Sequence, residues 1–208
     1  MNLTSVKQKD DVMERHVEDS LAIVEPVRNC YRPNSGSSFE NLNVIDVGSG
    51  AGLPGLVLAI AFPGWKLTVV ESMNKRCAFL KHAASLVGLQ NVHIVQDRAE
   101  NAGHKVELRE GFDVAVARAV ADMRILAEYC LPLVRVGGLF VAAKGHDPQE
   151  EVLQAERAVG LMGGSIMQTC LVESRSKYGQ RTAVVCRKDG PTPRKYPRPP
   201  GTPSKLPL

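Results

Sequence analysis

The stretch Asn43–Gly55, NVIDVGSGAGLPG, restricts the fold more than any other part of this 208-residue chain. A β-branched apolar run stops at an acid, Asp46, and Gly48, Gly50, Gly52 and Gly55 follow at once. Glycine reaches positive φ at little cost and lets a ligand approach the main chain closely. The stretch therefore predicts a buried strand, a bare loop and the start of a helix. In open α/β sheets a loop of this kind lies at the carboxyl end of its strand, where ligands bind.

The same alternation continues along the chain. Asn43–Val47, Lys66–Val70, Val92–Val95, Phe112–Ala117 and Leu139–Ala143 read as strands, and Leu56–Ala61, Asn74–Val87, Met123–Val134 and Pro148–Leu161 as helices. Leu80, Ala83, Ala84 and Val87 form one helical stripe that Gly88 ends, and Pro132 marks a kink late in its helix. Ahead of them, residues 9–25 carry a helical pattern, and Pro33–Ser38 has turn chemistry. Strand–helix alternation implies βαβ units and a mostly parallel sheet covered on both faces. Ile166–Glu173 and Thr182–Cys186 have no clear helix between them, so they are expected to close the sheet as an antiparallel edge hairpin. The ends of the five parallel strands should converge on one rim. The expected domain is 1–190, with an N-terminal helix over 9–28 and a core over 42–188.

At this length one domain is expected, and 44% apolar residues suffice for its core. No apolar run is long enough to span a membrane, and no basic-then-apolar leader is visible. The five cysteines are odd in number, widely spaced and never paired as C-x-x-C, which argues against a disulfide frame or a zinc site. The net charge of +4 is uneven: from Arg187 onward six Lys/Arg face one Asp. Seven of the 13 prolines also fall within 191–208. That tail reads either as a solvated, disordered segment or as a phosphate-seeking arm.

Counted from Gly48, the dinucleotide fingerprint would need a third glycine where Leu53 stands, and no G-K-[ST] follows. An acid just before the loop, Asp46, would repel a pyrophosphate and suits a ligand carrying an ammonium or sulfonium. Glu71 ends the second strand 19 residues past Gly52, the usual reach for an acid that accepts both ribose hydroxyls. Acid, glycine loop and ribose acid together point to S-adenosylmethionine (SAM).

Further elements are distinctive: NLT at Asn2–Thr4, RHVEDSL at Arg15–Leu21, RAE at Arg98–Glu100, ARA at Ala117–Ala119, KG at Lys144–Gly145 and YPRPPGTPSKLPL at the end. With these the chain resembles, over nearly its whole length, the GidB/RsmG small-subunit (16S-type) rRNA guanine-N7 methyltransferases. The resemblance implies a class I SAM-dependent methyltransferase fold, Rossmann-like and seven-stranded. It also implies that Gly48 and Leu53, with Gly50 and Gly52 in the same loop, contact SAM. Ala99 and Glu100 would flank the adenine, and Arg118 would close the pocket. Asp46 and Glu71 join this set on charge and ribose grounds. Arg15, His16, Lys144 and Arg198 are the expected RNA contacts, with Tyr178 a candidate to stack on a flipped base. Relatives of this kind carry a helical stretch ahead of NLT, which this chain is expected to lack. A monomer is expected, without metal or membrane, in the cytoplasm of a bacterium or in a plastid or mitochondrion of a eukaryote.

Guanine N7 has an in-plane lone pair and carries no proton, so its methylation needs no general base and no catalytic residue is assigned. An exocyclic-amine methylase would carry N-P-P-[YF] after the fourth strand, where Arg118–Ala121 reads RAVA. A pyrimidine-C5 enzyme needs a nucleophilic thiol, and Cys130 reads as a packing residue. Two other readings stay open: a small-molecule SAM methyltransferase, and an RNA-binding or assembly factor without catalysis.

Overall fold

The computed structural model describes residues 13–33, 38–118, 121–145, 147–172 and 181–208. Asn2–Thr4, the side chain of Arg15, Tyr178 and most of the turn expected over Pro33–Ser38 lie outside the described residues. Seven strands form one sheet: β1 (Asn43–Val47), β2 (Lys66–Glu71), β3 (Val92–Gln96), β4 (Phe112–Arg118), β5 (Val134–Lys144), β6 (Gly164–Val172) and β7 (Arg181–Lys188). Their order is β3-β2-β1-β4-β5-β7-β6. The first five are parallel, while β7 runs antiparallel to both β5 and β6. The expected hairpin is therefore present, with its return strand inserted next to β5 and β6 left at the edge.

Successive strand residues face opposite sides of the sheet, and the chain fills both. Val44, Val114, Val116, Leu139, Val141 and Val185 join Leu58 and Trp65 in one core, and Ile45, Ala115, Phe140 and Val184 join Met123, Leu126 and Val159 in the other. Burial on both faces explains why the strands read as nearly continuous apolar runs. The helices supplying these layers are α1 (Asp19–Leu21), α2 (Val24–Cys30), α3 (Gly55–Ala61), α4 (Asn74–Leu86), α5 (Ala99–Ala102), α6 (Met123–Cys130), α7 (Gln149–Leu161) and α8 (Thr202–Lys205).

Two expected boundaries move, both at prolines. The N-terminal helix is not continuous: a π-helical turn, Met13–Glu18, leads into α1, and the chain turns at Ala22–Ile23 before α2. Pro26 has no N–H to donate back across that junction, so the helix restarts instead of running through. Likewise α6 stops at Cys130, one 3₁₀ turn covers Leu131–Leu133, and Val134 already belongs to β5. The early part of β5 was hidden by Gly137 and Gly138. A side chain at Gly138 would sit 2.6 Å from the Asp113 carbonyl oxygen on β4, so strand pairing there demands glycine.

Candidate cofactor and acceptor site

The ends of β1, β2 and β3 build the first half of the site. After β1 the loop passes through Gly48, Gly50 and Gly52, all at positive φ (73°, 60° and 92°). Asp46 lies beneath it, wholly buried. One of its oxygens, Oδ2, accepts hydrogen bonds from Ser49 Oγ and from the Gly55 amide (2.8 Å), fastening the loop to the start of α3. A Cβ at Gly55 would fall 2.7 Å from that oxygen. The other oxygen, Oδ1, is buried with no hydrogen-bond partner among the described residues. Burial pushes the Asp46 carboxyl up to about 6, against the lowering pull of its Ser49 and Gly55 hydrogen bonds.

Glu71, at the end of β2, turns its buried carboxylate toward the loop. Its Oε2 accepts from the Gly50 amide at 3.1 Å and its Oε1 from the Met73 amide at 2.8 Å, with Arg76 3.6 Å away. These contacts fix the acid beside a cavity of about 330 Å³ lined by Gly48, Glu71, Asp97, Ala99, Glu100 and Tyr129. Four of the residues expected at the cofactor, Gly48, Glu71, Ala99 and Glu100, thus share one cleft. Gly50 joins through its bond to Glu71. Gly52 and Leu53 form the turn into α3 and do not line the cleft, and Asp46 lies under the loop. The chemistry fits SAM: a fixed acid for vicinal hydroxyls, a bared glycine backbone, and a buried carboxylate under the loop with one oxygen that has no partner among the described residues.

Arg118 is not part of that cleft. It ends β4 and lines a second cavity, about 350 Å³, over the ends of β4, β5 and β7, with His16, Asp19, Lys144, Arg181 and Thr182. Its guanidinium lies 3.4–3.5 Å from the His16 carbonyl, His16 Nδ1 and Ser20 Oγ. Lys144 donates to the Ala121 carbonyl at 2.7 Å and pairs with Glu151, whose Oε1 also accepts from the Met123 amide. Arg181 holds Asp19 through Nε–H to Oδ2 at 2.9 Å. Of the residues expected at RNA, His16 and Lys144 meet here.

Arg198 does not. It lies in the tail, where its Nε and Nη2 reach Glu128 at 2.9 and 2.7 Å, and Glu128 is fully buried. The whole 191–208 segment is laid on the body: Thr192, Tyr196 and Pro203 are buried. Arg109 donates to the Thr192 and Tyr196 carbonyls, and His104 meets the Pro197 carbonyl at 2.7 Å. Near the cleft, the Gly201 amide donates to Glu100, and Tyr129 bonds Ser204 at 3.0 Å.

Cys130 is fully buried, and burial pushes its thiol well above the ordinary range, so it cannot serve as a thiolate nucleophile. No group of three or more His, Cys, Asp or Glu poised to hold a metal occurs among the described residues. No helix among them is long and apolar enough to cross a membrane. Sequence reasoning missed Asp97, Tyr129, Asp19, Arg181 and Thr182. Two of these carried a signal: Asp97 directly follows β3 at the rim, and Asp19 lies within RHVEDSL. The others depend on tertiary packing alone.

A seven-stranded sheet with its last strand pair antiparallel, and an acid–glycine-loop cleft at the carboxyl rim, defines a class I SAM-dependent methyltransferase. Solved structures share the fold. TrmN from Thermus thermophilus superposes with a TM-score of 0.58 at 17% identity, over 81% of this chain and 48% of that one. M. jannaschii TYW2 in complex with AdoMet gives 0.56 at 15%, over 79% and 74%. The sequence is more specific. The profile described as "GidB: rRNA small subunit methyltransferase G" matches residues 1–178. Proteins named ribosomal RNA small subunit methyltransferase G are 44% identical in Staphylococcus aureus (strain Newman) and 41% in Alkaliphilus metalliredigens, over all of this chain and 83% of each relative. The chain belongs to the rRNA small subunit methyltransferase G family.

Proposed function

We propose that the protein transfers a methyl group from SAM to N7 of a guanine in small-subunit ribosomal RNA, acting as a cytoplasmic monomer. The observation that carries this reading is the pair of cavities on one rim, one over β1–β3 and the other over β4, β5 and β7, on the two sides of the neighbouring strands β1 and β4. Bound in the first, SAM supplies an activated methyl on a sulfonium. Glu71 would accept its ribose hydroxyls, and Gly48, Ala99 and Glu100 would wall the adenosine. Asp46, from below, would offset the cationic end.

The second cavity would take the base. Its rim of Arg118, Lys144 and Arg181 suits a polyanion better than a neutral metabolite. Displacement at a methyl carbon needs alignment more than proton transfer, so the chain's task is to hold N7 in line and exclude water. No residue has to abstract a proton, and His16 is accordingly assigned to positioning. Lys144, committed to Ala121 and Glu151, would shape the rim and lend charge to it. Arg198, clamped on Glu128, is assigned to the fold and not to RNA.

The test is incubation with labelled SAM and methyl-free small-subunit RNA or particles, followed by borohydride–aniline cleavage. Scission at one guanine is expected. Label incorporated without scission would move the acceptor atom away from N7.

A further inference from the structure

Among the described residues, the second cavity carries one carboxylate beside its cations. Asp19 is 7% exposed, lines the cavity and is oriented by Arg181 at 2.9 Å. Thr182 lines the same space at 2% exposure, and its Oγ1 is buried with no hydrogen-bond partner among the described residues. A buried hydroxyl in that condition is costly unless a ligand atom meets it. The two residues line one cavity, together with Arg181, which holds Asp19.

We infer that Asp19 and Thr182 read the guanine: the Asp19 carboxylate accepts from N1–H and the exocyclic amine, and the Thr182 hydroxyl meets a further polar atom of the base. The inference rests on the N7 reading above. With N7 turned toward the junction of β1 and β4, the N1–H and amine edge points across the ring toward β7. Two strand spacings separate β4 from β7, about 10 Å, which leaves room for one purine between them. An ionised carboxylate accepts more than one donor at a time, so a carboxylate that Arg181 orients can also accept from a base. Adenine would set the unprotonated N1 lone pair against that carboxylate. Arg118, at the end of β4, lines the cavity on the side away from β7, while Lys144 on β5 stands next to Thr182.

The test compares small-subunit RNA carrying guanine at the mapped position with the same RNA carrying inosine, which keeps N7, O6 and N1–H but lacks the amine. The wild-type protein should methylate inosine about 10- to 100-fold less efficiently in kcat/KM. Asp19→Asn should slow guanine and bring the guanine-to-inosine ratio close to one, with SAM affinity by calorimetry retained. A ratio kept at the wild-type value while both rates fall would mean that Asp19 only supports the fold, and would overturn the proposal. Equal use of both bases by the wild type would overturn it as well. Should Asp19→Asn fail to fold, Thr182→Val decides: at least about a fivefold loss on guanine with SAM affinity unchanged is expected, and no loss would sink the idea. A wild-type protein that yields no N7-methylated guanine at all would instead remove the reading on which this one stands.

Discussion

The backbone N–H of Gly201 donates to Oε1 of Glu100 at 2.8 Å, joining the C-terminal tail to the wall of the SAM cleft across 101 positions of sequence. Tyr129, which lines the same cleft, bonds Ser204 in the tail and lies 3.4 Å from Glu100. The tail therefore sets the position of two side chains that line the cleft. Deleting 191–208 should weaken SAM binding by tenfold or more. Ser204→Ala, which removes one hydrogen bond, should weaken it about two- to fivefold. Calorimetric titration with SAM checks both. An unchanged dissociation constant in the deletion would return the tail to the role of a separate arm.

Arg198 and Glu128 supply the main polar anchor of that tail. Glu128 is fully buried while the Arg198 side chain is 22% exposed, so removing the arginine strands a carboxylate away from water. Arg198→Ala should cost about 3–5 kcal/mol, whereas Arg198→Met with Glu128→Leu should recover most of the loss by replacing the pair with packing. Urea unfolding measures the difference. If Arg198→Ala keeps the wild-type midpoint and lowers only RNA affinity, the tail is an RNA contact after all.

How far the sequence disclosed this site depends on whether the signal was local. The Asp46–Gly55 loop and Glu71 were legible because their spacing within a βαβ unit is set by strand and helix geometry. Spacing alone was a weaker filter than it looked: Gly50, Gly52 and Gly55 do match the G-x-G-x-x-G pattern in a shifted register, and the family match excludes a dinucleotide more firmly. The parallel strands and the closing hairpin followed from alternation, but the strand order did not, and neither did the start of β5, since Gly137 and Gly138 interrupt the apolar run. Composition misdirected the reading of the tail. Proline and charge suggest solvation, yet Arg198, Tyr196 and Gly201 find their partners in Glu128, Arg109 and Glu100, contacts that lie 70 or more positions away and leave no periodic trace. Arg118, expected at the cofactor by resemblance, has its guanidinium beside His16 and Ser20 and lines the second cavity.

Gly50 offers a test of the cleft that spares the fold. A Cβ built there meets no atom of the protein within 4 Å, and its φ is +60°. Gly50→Ala should therefore cost only the left-handed strain, about 1 kcal/mol, and lower the melting temperature by a few degrees. The methyl group would project beside the loop, where the ligand is proposed to lie, so SAM affinity should fall much further, by tenfold or more. Comparable small losses in both quantities would place the ligand away from Gly50.

Asp46 is expected to make SAM binding pH-dependent, with a sign that follows from its burial. Its carboxyl is raised to about 6 from an ordinary 3.8, so the folded protein without ligand binds that proton more tightly than the unfolded chain does. The stabilisation is fully present below about pH 4 and is lost as pH rises through 6, a difference of about 3 kcal/mol by pH 7. A cationic ligand above the loop favours the ionised form, so SAM affinity should strengthen between pH 5 and pH 7, by up to about tenfold. Asp46→Asn can keep an oxygen facing Ser49 and Gly55 while turning its amide toward the position of Oδ1. It should bind SAM at least about tenfold more weakly at pH 7, with no dependence on pH from this site, and should melt no lower than the wild type there. Calorimetry and thermal melts across that range measure these together. A variant that keeps both the wild-type affinity and the wild-type slope would show that the acid beneath the loop never meets the charge of the ligand.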